Sequence, residues 1–163
     1  TPAMLYTQQS VVRGEVVTKQ SVLRVNIWLR TDGAPRYMHF LKPQIILFGG
    51  GPAKALSYSE IYFPTSEAIA FHTLPPTDES LDYDPNEANR TMEPIDLLVG
   101  TFIMKEKIRI STQTEIGASL EMARLSWISI YDVTVSNPHL PQMAALQVPM
   151  VLVSPSHVSF ATT

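Results

Sequence analysis

The sequence predicts an all-β protein made of two tandem, internally duplicated small β-barrel or sandwich units. Three observations carry this. Apolar residues fall in short runs rich in β-branched and aromatic side chains, which suit a pleated, half-buried surface. Thirteen prolines punctuate the chain and argue against long helices. The order of runs in the first half recurs in the second, and internal repetition of this kind decides how every other element is read.

The elements follow in order. Residues 11–17, centred on Gly14, form an apolar strand. Residues 22–29 open on an apolar pair and then alternate, which predicts a second strand. Residues 36–43 carry aromatics, end in Pro43, and are expected as strand. Residues 44–48 are a continuous apolar run closed by Gly49-Gly50-Gly51-Pro52, so a buried strand should end in a flexible hairpin or interface loop. Residues 61–63 and 68–71 flank the polar turn Pro64-Thr65-Ser66-Glu67.

The second half repeats this plan. Residues 97–103 form an apolar strand around Gly100, matching that around Gly14, and Ile108–Ser111 matches Leu23–Asn26. Gly33-Ala34 pairs with Gly117-Ala118, Met38 with Met122, Leu41 with Leu125 and Ile46 with Ile130, in one order and with small drifts of offset. Residues 119–125 have Ser119 as a candidate N-cap followed by strong helix formers. As the counterpart of residues 36–43 they are nonetheless expected as strand. Residues 127–135 form a long strand, and residues 150–153 and 157–160 pair across Ser154-Pro155-Ser156. The division is therefore 1–74 for the first unit, 75–94 for an acidic, proline-rich linker and 95–163 for the second unit. The linker, with Pro75-Pro76 and five acids between Asp78 and Glu87, should be an exposed, semi-rigid connector.

Composition bounds function. The chain has 163 residues, a net charge of −3 and a charged share of only 17%. A sparsely charged surface tolerates contact with other chains. Phosphate-backbone recognition needs a basic patch, and the longest cluster, Lys105-Glu106-Lys107-Ile108-Arg109, is interrupted by an acid and fits a solvated strand face. Without cysteine, thiolate chemistry, disulfides and Cys-ligated zinc are excluded. That fits a reducing, cytoplasmic setting. No apolar run reaches the ~20 residues that cross a bilayer. The first ten residues lack the features of a secretory signal, and Thr1 is expected to follow removal of an initiator Met or a processed leader.

The candidate constellations resolve to structural readings. Asp82, Asp84, Asn86 and Glu93 have the spacing of a calcium loop, but Glu87 stands where the sharp turn needs Gly, and flanking prolines deny the helices. Gly49 to Lys54 lacks the Gly-Lys-Ser/Thr ending of a phosphate loop. His39, His72, His139 and His157 have no zinc spacing, and no nucleophile elbow occurs. Asn89-Arg90-Thr91 matches a glycosylation acceptor, relevant only in a secreted eukaryotic protein. Trp28, Trp127, Tyr131, Tyr37 and Tyr62 are expected in the core or in subunit contacts. No catalytic, cofactor or metal residue is therefore assigned.

The strand start at Arg13-Gly14 and the closing Phe63-Pro64-Thr65-Ser66-Glu67-Ala68-Ile69 resemble Sm-like barrels, over both halves. The chain also resembles uncharacterised bacterial small β-domains. The Sm-like resemblance implies barrels that associate edge to edge. Of the Asp and Asn that carry base contacts in that family, only Asn26 has a counterpart here, and Ser111 replaces it in the second half. The expected function is a non-enzymatic structural or assembly subunit forming homo-oligomers through β edges. The alternatives are an Sm-like RNA-binding protein, or a small-molecule-binding or hydrolytic barrel with its pocket between the halves.

Overall fold

A computed structural model describes residues 1–163. It is all-β, with eleven strands in one antiparallel sheet. The first half contributes β1 (Pro2–Tyr6), β2 (Ser10–Val16), β3 (Tyr37–Leu47), β4 (Lys54–Ser57), β5 (Glu60–Pro64) and β6 (Ala70–Thr73). The second contributes β7 (Arg90–Val99), β8 (Phe102–Ser111), β9 (Ile128–Ser136), β10 (Leu146–Val153) and β11 (Ser159–Ala161), with one short helix, α1 (Ile116–Met122). The sheet runs β11-β7-β8-β9-β10-β6-β1-β2-β3-β4, and β5 pairs with β3 beyond β4.

This sheet is not closed, which corrects the barrel expectation: its ends, β11 and β4, do not pair. The cause lies at β6. The 3-10 turn Thr65–Glu67 carries the chain away from β5, and β6 pairs with β1. The other edge of β6 is taken by β10, through Phe71 with Leu152 and Ala70 with Val153. The halves therefore fuse into one continuous sheet.

Alternation divides the side chains between two cores. Ala3 and Leu5 of β1 face one cluster with Val12, Trp28, Met38, Phe40 and Phe71. Met4 and Tyr6 face the other, which also takes Val11, Phe48 and Ile69 from the first half and Leu97, Phe102, Met104, Ile130 and Val133 from the second. The larger core is thus shared, whereas the sequence suggested a separate interior for each unit.

Several local expectations change. Residues 25–30 form a 3-10 helix that buries Val25, Asn26, Trp28 and Leu29, where a strand was expected. Residues 37–47 are strand as anticipated, but residues 116–122 are helix. Gly14 lies inside β2, whereas Gly100 makes the β7–β8 turn, so the two glycines are not counterparts. Gly49–Pro52 links β3 to β4 as a hairpin loop.

Candidate functional site

Two regions gather side chains that the core does not use. The first lies where the halves meet. Its foundation is the connector, two of whose acids, Glu79 and Asp82, are internal ligands of the fold. The Glu79 carboxylate accepts the backbone N–H groups of Val25 at 2.5 Å and Asn26 at 3.0 Å, satisfying donors that open the 3-10 helix Val25–Arg30. Asp82 accepts hydrogen bonds from the Ser129 and Tyr131 hydroxyls and an ion pair from Arg30 at 2.7 Å. Burial alone would raise the Asp82 pKa. The hydrogen bonds from Ser129, Tyr131 and Arg30, together with the Arg30 charge, outweigh it and hold the carboxyl below the usual range. Beside it Tyr83 meets Tyr131 edge-on at 4.8 Å, and Arg109 lies 4.6 Å above the Tyr83 ring.

Next to this hub is a cleft of about 580 Å³ lined by residues of both halves. Arg30 and Thr31 end one wall, Thr65 and Ser66 belong to the turn before β6, and Ser154 and His157 belong to the matching turn before β11. Arg124, Ser126 and Trp127 follow α1 and close it. His157 Nδ1 lies 2.8 Å from the Ser154 hydroxyl and 3.2 Å from that of Ser156. This serine–histidine contact spans one tight turn, where the His157 N–H also donates to the Ser154 carbonyl at 3.0 Å. No carboxylate lines the cleft to orient the ring as a catalytic base.

The second region is the β3–β4–β5 end of the sheet. β4 is exposed at all four residues, and β4 and β5 each pair only with β3, leaving a free backbone edge. Register places Tyr37, His39 and Leu41 opposite Pro64, Tyr62 and Glu60, so these side chains share one face. His39 stacks on Tyr62 at 4.3 Å and its Nε2 lies 2.8 Å from the Glu60 carboxylate. Tyr37, Leu41 and Tyr62 remain exposed, Tyr62 at 58%.

The residues weighed in the sequence scatter accordingly. Asp82 is engaged by Arg30, Ser129 and Tyr131, Asp84 accepts the Asn86 N–H at 2.9 Å, and Glu93 lies in β7 opposite Ile108. No group of three or more His, Asp or Glu side chains converges with metal-binding geometry. Trp28 and Tyr131 are buried, Trp127 is half-buried, and Tyr37 and Tyr62 are exposed. In the basic cluster Lys105 and Lys107 face solvent, whereas Glu106 turns into the core. No helix is long and apolar enough to cross a membrane. No family model, curated protein or solved structure matches the chain.

Sequence reasoning allowed a pocket between the halves but named none of its residues. Its walls are four connections separated along the chain, and only the Ser/Thr-rich turns Pro64–Glu67 and Ser154–Ser156 hinted at it.

Proposed function

We propose that the chain is a non-enzymatic assembly subunit that self-associates through the β4–β5 end of its sheet. The observation that carries this is the free β5 edge flanked by the exposed Tyr37, Leu41 and Tyr62. An open edge offers a row of unpaired N–H and C=O groups, and proteins normally blunt such edges with charge or cover. Here Lys54 and Glu60 are the only charges on β4 and β5. The opposite end, β11, is only three residues long. A contact between the β5 edges of two copies is therefore favoured over a head-to-tail chain, and it would give a closed dimer.

A duplicated origin is part of the same reading. Two features support it. Each half ends with a one-turn 3-10 helix followed by a strand that pairs back onto that half's first strand. Each half also carries a bulge at one place: β2 shifts register between Arg13 and Glu15, and β8 between Lys105 and Lys107. The facing strands hold Lys42 and Asp132 at φ 49° and 52°, in the left-handed region that residues other than glycine seldom adopt.

Sedimentation at micromolar concentration tests the assembly. The expected result is a dimer that Tyr62→Lys converts to monomer with unchanged circular dichroism. A monomer at hundreds of micromolar, or a dimer indifferent to Tyr62→Lys, overturns the proposal.

A further inference from the structure

We propose that the cleft between the halves binds a small phosphorylated molecule, independently of any self-association at the sheet edge. The chain has 15 acids against 12 Lys and Arg, yet the cleft lining holds two arginines, a histidine and no carboxylate. Such a lining favours an anion, and a guanidinium fork matches the geometry of phosphate oxygens.

The donors are also unspent. Arg124 is exposed and makes no ion pair. Arg30 uses Nη1 for both Asp82 and Ser129, which fixes the guanidinium while leaving Nε and Nη2 without a partner in the chain. Asp82 is thus a positioning residue for Arg30. The hydroxyls beside His157 occupy Nδ1, so Nε2 has no partner in the chain.

Size selects the class of ligand. A cleft of about 580 Å³ is far larger than an inorganic anion and falls within the range of small-molecule sites, ~300–1,000 Å³. Half-buried Trp127 supplies an aromatic wall for an organic group next to the charged end.

The two tryptophans provide the test: Trp127 lines the cleft, whereas Trp28 precedes its Leu29–Thr31 wall and does not line it. The full chain is titrated with pyrophosphate, with citrate, and with sodium chloride at matched ionic strength, while both indole signals are followed by NMR. The expected result is a saturable shift of the Trp127 signal with pyrophosphate. Trp28, which does not line the cleft and whose Nε1 donates to the Gly33 carbonyl at 3.0 Å, should move less. Arg124→Ala should weaken binding at least tenfold, and Lys105→Ala, an equal loss of charge on an exposed strand position, should not. A non-saturating response, a response equal to that of chloride, citrate binding as tightly as pyrophosphate, or equal effects of the two variants would each overturn the proposal.

Discussion

Glu106 turns its carboxylate into the shared core, where neither oxygen finds a donor. Burial, reinforced by the Asp96 charge, pushes its pKa up to about 9 from 4.5. His72 has the opposite problem. Burial, only partly offset by its hydrogen bond to the Thr73 carbonyl and deepened by the Arg13 charge, lowers its pKa from 6.5 to about 4. Its Nδ1 donates to that carbonyl at 3.0 Å and its Nε2 accepts from the Tyr6 hydroxyl at 2.8 Å, so the neutral ring is fully paired. Glu106 favours folding fully below pH 4.5, and this contribution is lost as pH rises toward about 9. His72 favours folding above pH 6.5, and this is lost as pH falls toward about 4. Between 4.5 and 6.5 the slopes oppose and stability should be flat. Above that window only Glu106 acts, and stability should fall by about 1.4 kcal/mol per pH unit. Urea denaturation across pH 4–9 should show the plateau and the alkaline decline, and Glu106→Gln should remove the decline and turn the plateau into a rise toward pH 6.5, because the His72 slope is then unopposed. An alkaline limb unchanged in that variant would refute the assignment.

Among the elements, the β7–β8 hairpin depends on one residue. Gly100 sits at φ +59°, and a Cβ there would lie 2.8 Å from the Thr7 carbonyl oxygen and 3.0 Å from that of Gln8. Gly100→Ala combines left-handed backbone strain with a backbone clash, so it should cost about 2–3 kcal/mol, read as a lower urea midpoint at unchanged slope. The strands were the legible elements: short apolar, β-branched and aromatic runs located β2, β5, β9 and most of β3. The 3-10 helix at Val25–Arg30 was not legible, because the carboxylate that holds its first N–H groups comes from Glu79 in the connector. Alternation at residues 22–29 pointed to a strand, and that distant partner is what favours the 3-10 helix instead. At α1 the local signal gave the type of element but not its bounds, since Glu115 and not Ser119 stands at the N-cap, and the repeat argument misled. Helix-forming residues 116–122 govern there, whereas their supposed counterpart, Tyr37–Leu47, runs between β2 on one side and β4 and β5 on the other. The cleft was illegible for a related reason, since turns from four places meet only after the sheet has formed.

For the molecule as a whole, the shared core joins what the chain order suggests should be separable. Met4, Tyr6, Val11 and Phe48 of the first half pack in one cluster with Leu97, Phe102 and Val133 of the second. Burial on both faces of β1 leaves neither half a complete interior. Thermal unfolding should therefore be a single transition with equal calorimetric and van't Hoff enthalpies. A fragment of residues 1–74 should show no cooperative transition, and two resolved transitions in the full chain would contradict the shared core. The repeat read from the order of runs did not register at its central glycines. Gly14 lies in a strand interior and Gly100 in a turn.

One contact spans the seam between the halves and carries its own signal. Phe102 stands edge-on to Tyr6 at 4.9 Å and to Phe48 at 5.7 Å, so rings from both halves of the chain meet at right angles. Their magnetic shielding acts on one another only at such range. In a proton spectrum of refolding chain, the displaced ring resonances of Phe102 will mark the moment the two portions dock, without any label attached.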